Sequence, residues 1–92
     1  MSIKAKSIKE YEDFIQFIEK FIQDREQMLN EVNNRISDYT GRSNNAMGDY
    51  KEYCNDRIKE ENNLLEDIIV QLKGAKKVRE ELVESYEKEA IK

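Results

Sequence analysis

The side chains best suited to chemistry are few in this sequence. Cys54 is the single cysteine, and the chain contains no histidine that could serve as its base. The neighbouring carboxylates Glu60–Glu61 and Glu66–Asp67 could hold a cation weakly, but such residues on helices are mostly solvated, and neither di-metal nor EF-hand spacing occurs. We therefore predict no enzymatic activity, no cofactor and no metal site, with Cys54 as a small buried hydrophobe.

The composition favours long helices as the elements that position these residues. Of the 92 residues, 38% are apolar and 39% charged, and there is no proline to interrupt a helix. The net charge of −4 is spread over both halves, with seven basic and eight acidic residues in 1–43 and nine and twelve in 44–92. Neither half shows a basic patch, and no apolar run reaches membrane-spanning length, so we expect neither nucleic-acid binding nor membrane insertion.

Apolar residues recur at alternating intervals of three and four along two segments, which predicts two amphipathic helices. Ser7 and Glu10 form a capping-box pattern at the start of the first. The first row of apolar residues is Ile8, Tyr11, Ile15, Ile18, Ile22, Leu29, Val32, Ile36 and Tyr39. The second is Met47, Tyr50, Cys54, Ile58, Leu65, Ile68, Leu72, Ala75, Leu82 and Tyr86. We call these two rows the seam.

The stretch from Ser37 to Asn45 is rich in glycine, serine and asparagine, which predicts the turn between the helices. Another capping-box pattern, from Asp49 to Glu52, lies near the expected start of the second helix. The sequence thus predicts an all-α fold: one domain over 1–92, an antiparallel hairpin with helices at about 7–39 and 47–90, and a turn centred on Ser43.

Charged residues interrupt the seam at Arg25, Glu61 and Arg79, and we predict that Arg25 and Glu61 face each other and fix the register of the hairpin. Slipping the helices by one heptad would leave Arg25 in an apolar layer. The alternative is that both side chains extend to solvent at the edge of the hairpin.

Further apolar residues flank the seam, more than a two-helix hairpin is expected to cover. On the first helix they are Phe14, Phe17, Phe21 and Met28; on the second they are Leu64, Ile69, Val78 and Val83. An exposed apolar row of this kind is typical of a protein interface. We predict a helical partner that completes a three- or four-helix bundle; the alternative is that the wide helices pack only within the hairpin.

The tripeptide Tyr39-Thr40-Gly41, at the predicted turn of a two-helix chain of this length, resembles the WXG superfamily of small bacterial type VII secretion proteins. Tyrosine stands where that family has tryptophan. The resemblance covers the whole plan of the chain: helix, turn near Gly41, and helix with Tyr86 near its end. The family's export signal is a tyrosine followed four residues later by an acid, whereas Tyr86 is followed at that spacing by Ala90.

The resemblance therefore implies a member without its own complete signal, one of the small helical partners that bind the N-terminal helical region of LXG-type toxins. Such a chain would act as a targeting factor or chaperone in the cytoplasm, or leave the cell with its partner by a route that needs no signal peptide. The alternatives are a self-associating coiled-coil module, such as a homodimeric four-helix bundle, and a component or chaperone of another bacterial secretion system.

Overall fold

The computed structural model describes residues 7–91, and this part of the chain forms two helices that pack against each other as a helical hairpin. Helix α1 spans Ile8–Asn44 and helix α2 spans Asp49–Ile91, and residues 7–91 contain no strand. The predicted all-α hairpin is confirmed. The partner helices of a larger bundle stay a prediction.

The start of α1 follows the capping pattern in the sequence. The backbone amide of Glu10 donates to Ser7 Oγ at 3.2 Å, and the amide of Tyr11 donates to the Ser7 carbonyl at 3.2 Å. The Ser7 side chain therefore satisfies an amide group that has no backbone acceptor in the first helical turn, and the Ser7 carbonyl accepts the first hydrogen bond of the helix.

The turn lies at residues 45–48, later than predicted. The chain reverses at Gly48, whose φ of 67° is a left-handed conformation that only glycine adopts without strain. The Gly48 carbonyl then accepts from the amide of Glu52 at 3.2 Å, which closes the first turn of α2.

The prediction that Tyr39-Thr40-Gly41 and Ser43 form the turn is wrong, because all four lie inside α1. The polar side chains of this stretch support the helix: Thr40 Oγ1 donates to the Ile36 carbonyl at 2.7 Å, and Asn45 Nδ2 donates to the Gly41 carbonyl at 3.1 Å. Hydrogen bonds of this type satisfy carbonyl groups of the helix C-terminus. The helix therefore continues to Asn44 through residues whose composition favours a turn.

The chain divides into two compact units. The terminal unit contains residues 7–25 and 71–91, and the turn unit contains Glu26–Val70. The buried apolar residues of the terminal unit are Tyr11, Ile22, Leu72, Ala75 and Leu82; those of the turn unit are Val32, Cys54 and Ile68. All eight belong to the predicted seam, which therefore forms the core of both units. Cys54 is fully buried, as predicted.

Three members of the predicted seam are exposed: Ile8, in the first turn of α1, is 37% exposed, and the other two lie at or beside the turn. Met47 is 89% exposed in the turn, and Tyr50 is 50% exposed in the first turn of α2. Both fail for the same reason: the turn lies several residues later than expected, so α2 begins beyond Met47 and buries its first seam residue at Cys54.

The predicted Arg25–Glu61 register pair is wrong. Within the terminal unit, Arg25 Nε donates to Gln71 Oε1 at 2.7 Å. Within the turn unit, Glu61 accepts from Arg35 Nε at 3.1 Å. Arg25 thus meets Gln71, ten residues beyond the predicted partner Glu61, and Glu61 meets Arg35, ten residues beyond the predicted partner Arg25. Both displacements have the same cause: the turn lies later in the chain, which shifts the pairing of the two helices.

Candidate partner-binding surfaces

The aromatic residues predicted to flank the seam form an exposed row on α1 in the terminal unit. Phe17 is 72% exposed and Phe14 is 42% exposed, and Phe21 is half-buried. Spacings of three and four residues place these side chains on one face of the helix. Phenylalanine exposed to this extent has no polar atom with which to bind water, so its exposure has a free-energy cost that a partner surface would remove.

A polar contact marks where this row meets α2. The guanidinium of Arg25 lies 4.6 Å from the centre of the Phe21 ring, and its Nε donates to Gln71. Because Gln71 and Val78 are one heptad apart, they lie on the same side of α2. The contact therefore places Val78, itself 38% exposed, on the side of the hairpin that carries the phenylalanine row.

The four flanking residues predicted on α2 do not form a single surface. Leu64 and Val78 are separated by two heptads, and so are Ile69 and Val83, but the two pairs lie on opposite sides of the seam. Val83 lines a shallow depression with Lys73, Lys76, Lys77, Arg79 and Glu80. Of the predicted α2 residues in the terminal unit, Val78 adjoins the phenylalanine row and Val83 lies in a charged surface.

The turn unit carries a smaller apolar flank. Met28 is half-buried and Leu64 is 37% exposed. On α1, Arg35 follows Met28 by one heptad, and on α2, Arg57 precedes Leu64 by one heptad. Both arginines contact the buried carboxylate of Glu61, Arg35 Nη2 at 3.0 Å and Arg57 Nη2 at 3.6 Å. Met28 on α1 and Leu64 on α2 therefore lie on the side of the turn unit where the arginines meet Glu61.

A cluster of tyrosine and arginine residues near the turn did not emerge from the sequence. The rings of Tyr50 and Tyr53 stack at 6.2 Å, and Tyr53 meets Tyr39 edge to face at 6.5 Å. The guanidinium groups of Arg42 and Arg57 each lie 5.8 Å from the centre of the Tyr39 ring. The sequence feature that could have predicted part of this cluster is the three-residue spacing of Tyr50 and Tyr53, which places both rings on one face of α2.

Hydrogen bonds within this cluster favour the charged form of both arginines. A hydrogen bond with Tyr50, aided by the Asp38 carboxylate, raises the pKa of Arg42 above its ordinary value. A hydrogen bond with Tyr39 and the nearby Glu60 raise the pKa of Arg57 in the same direction. Both arginines are therefore fixed cations at any physiological pH.

The basic depression on α2 is a second feature that the sequence analysis missed. Lys73, Lys76, Lys77 and Arg79 fall within seven residues of α2 and line the same surface. The second half of the chain therefore does contain a local concentration of basic residues. Counting charges over whole halves concealed it, because all but one of the acids in that half, Glu80, lie outside the depression.

The groups available for chemistry are dispersed in this structure. Cys54 is a free thiol buried in the turn unit, away from solvent. Within residues 7–91 no group of three or more Cys, Asp or Glu side chains is arranged to hold a metal ion. Glu61, one of the acids considered as a weak cation ligand, instead has two arginines as its neighbours.

Comparison with protein-family models, with curated proteins and with solved structures finds no match for this chain. Neither described helix has an apolar stretch of the length that a membrane crossing requires.

Proposed function

We propose that this chain is a non-catalytic helical partner protein that binds the N-terminal helical region of an LXG-type effector of type VII secretion, in the cytoplasm, as its targeting factor or chaperone. The observation that carries the binding role is the exposure of Phe17 beside Phe14 on one face of α1. Burying each ring against a partner would contribute roughly 1.5–3 kcal/mol before the entropic cost of association.

Support for the secretion context is the plan of the chain, two long helices joined by a four-residue turn, together with this uncovered row. The tripeptide Tyr39-Thr40-Gly41 lies within α1 and does not mark the turn, so it adds nothing to the support. A second polypeptide that lays a helix along the row would complete a bundle of three or four helices, the arrangement in which such hairpins bury a second apolar face.

The test is co-expression of the chain with the N-terminal helical region of an LXG-type toxin encoded in the same genome. We expect a complex that survives size-exclusion chromatography and whose mass by light scattering corresponds to both chains. Replacing Phe14 and Phe17 with glutamate should abolish the complex, because two charges would be buried in place of two apolar rings.

A matched control is Val70→Glu, which places the same charge at another strongly exposed apolar position away from the row. This variant should keep the complex. A chain that forms a stable homodimer on its own, unchanged by the two phenylalanine replacements, would instead support the alternative of a self-associating four-helix bundle and would contradict the proposal.

A further inference from the structure

The basic depression on α2 lies entirely within the terminal unit and is open to solvent. It has a volume of about 900 Å³, which is room for several side chains of another molecule. Four basic residues and one acid line it, in a chain whose net charge is −4. The depression therefore concentrates positive charge at one place on a protein that is acidic as a whole.

Two of the four basic residues have no acid one helical turn away on α2. The residues three and four positions from Lys73, and those three and four positions from Arg79, are all apolar or basic. The lysines at 76 and 77 differ, because each has a glutamate four residues later. Among residues 7–91, Lys73, Lys77 and Arg79 form no ion pair. The charges of Lys73 and Arg79 are therefore not offset along the helix.

Arg79 differs from the lysines because it occupies a seam position. It is half-buried and lies between the buried residues Ala75 and Leu82 in the sequence of α2. Opposite charges attract more strongly near a protein surface than in bulk water, because the effective dielectric constant is lower. An anionic group that enters the depression would therefore gain most beside Arg79.

Glutamates of α1 lie on the same side of the terminal unit without filling the depression. Glu12 and Glu19 flank the seam on the side opposite the phenylalanine row, which is also the side of Val83. Within residues 7–91, neither glutamate forms an ion pair, and neither lines the depression. They border the site and leave its basic residues accessible.

We infer that the depression binds an acidic helical segment of a partner protein, with carboxylates that recur every three or four residues on one face. Lys73, Lys76 and Arg79 have that spacing, so a helix alongside α2 would place successive carboxylates beside successive cations, about 5 Å apart. Half-buried Val83 supplies an apolar edge. The depression and the phenylalanine row lie on opposite sides of the seam, so the inference concerns a second surface and does not depend on the proposed function.

The bordering acids favour a short acidic segment over an extended polyanion. A nucleic acid or an anionic membrane presents negative charge over a larger distance than the depression spans, which would bring phosphates against Glu12 and Glu19. A helix with its carboxylates on one face meets the cations with that face and turns uncharged side chains toward these glutamates.

The size of the depression argues against a second copy of this chain as the occupant. From Lys73 to Val83 it extends about 15 Å along one helix about 10 Å wide, an area on the order of 150 Å². A stable dimer buries roughly 800 Å² on each copy. The depression therefore suits a short segment of a larger partner.

The test uses two synthetic helical peptides of about three heptads that contain the same glutamates, all on one face in the first and distributed around the helix in the second. Binding to the full chain is measured by fluorescence anisotropy at low and high salt. We expect the one-face peptide to bind about fivefold more tightly at low salt, and added salt should weaken it. Equal binding of the two peptides, or binding of neither, would overturn the inference.

Lys73→Gln with Lys77→Gln should weaken binding of the one-face peptide about fivefold, whereas Lys73→Arg with Lys77→Arg should retain it because both charges remain. The matched control Lys51→Gln with Lys59→Gln removes the same charge from exposed positions of the turn unit and should keep the affinity. Circular dichroism establishes that each variant remains helical. An equal loss in the control would show that only the overall charge matters, and would overturn the inference.

Two further measurements would identify a different occupant. Short duplex DNA, or vesicles that contain phosphatidylserine, could bind more tightly than the one-face peptide at the same salt concentration and lose binding in the Lys73→Gln, Lys77→Gln variant. That result would identify a polyanion as the occupant and overturn the inference. A homodimer, measured by light scattering, that dissociates in the same variant would identify a second copy and would also overturn it.

The phenylalanine row provides the measurement that separates this inference from the proposed function. Phe14→Ser with Phe17→Ser should bind the one-face peptide as tightly as the parent chain. Loss of the peptide in this variant would show that it occupies the phenylalanine row, and would overturn the inference. The complex with the toxin region tests the proposed function alone, and its absence has no bearing on binding of the peptide.

Discussion

Arg35 of α1 holds the carboxylate of Glu61 of α2 through two nitrogens, with Nε at 3.1 Å and Nη2 at 3.0 Å from the same oxygen. Glu61 is only 6% exposed, whereas the Arg35 side chain is 44% exposed. The buried partner is thus the acid, and the guanidinium keeps part of its hydration. This asymmetry determines what removal of Glu61 should do.

Replacing Glu61 with alanine should destabilise the chain by about 1–3 kcal/mol, less than the 3–5 kcal/mol typical of a fully buried pair, because Arg35 and Arg57 can return to water. Glu61→Leu should lie within about 1 kcal/mol of the parent, since an apolar side chain can fill the same site. Urea denaturation measures both, with Glu60→Ala as the exposed control expected to cost less than about 1 kcal/mol. Equal losses for alanine and leucine would show that the charge, rather than the volume, stabilises the site.

Replacing Ser85 with alanine should stabilise the chain by up to about 1 kcal/mol. Ser85 is buried and its Oγ has no hydrogen-bond partner among the described atoms, so the replacement removes an unsatisfied polar group and improves helix propensity. Ser37→Ala, at an exposed position of α1, isolates the propensity contribution. The gain for Ser85 measured by thermal unfolding should exceed that of the control; a loss would mean that the hydroxyl has a partner in solution, such as a bound water.

Alanine at Gly41 and at Gly48 should have opposite effects. Gly41 lies within α1 and a Cβ there meets no atom within 4 Å, so alanine should stabilise the helix by about 0.5–1 kcal/mol. Gly48 has a φ of 67°, so alanine should cost about 1–2 kcal/mol. The midpoint of urea denaturation reports both signs. A destabilising Gly41→Ala together with a neutral Gly48→Ala would show that the turn lies at Tyr39-Thr40-Gly41 and would contradict its position at residues 45–48.

The thiol of Cys54 should be protected from modification in the folded chain. It is fully buried, so a thiol reagent such as Ellman's reagent gains access only when the surrounding helices open. We expect labelling at least about a hundredfold slower in buffer than in denaturing urea, and faster in the Glu61→Ala variant. Rapid labelling in buffer would show that the turn unit opens locally at little cost.

The identity of the fold was determined by the sequence. A spacing of three and four residues, sustained over both halves without proline, predicts two amphipathic helices that share an apolar seam, and the structure has them. The same periodicity selected the residues that are buried, from Tyr11 on α1 to Leu82 on α2. Excess apolar residues predicted an uncovered flank, and Phe14 and Phe17 are indeed exposed.

The register was decided only by the tertiary structure. A periodic seam matches apolar residues to apolar residues in several alignments that differ little in energy, so periodicity cannot choose among them. The position of the turn makes the choice, and it depends on the left-handed conformation at Gly48 and on Asn45 and Thr40, whose side chains bind helix carbonyls. From the sequence, the glycine, serine and asparagine between Ser37 and Asn45 favoured a turn near Gly41. Once Gly48 reverses the chain, Arg35 rather than Arg25 meets Glu61 in the turn unit. In the terminal unit Arg25 meets Gln71 instead, beside Phe21.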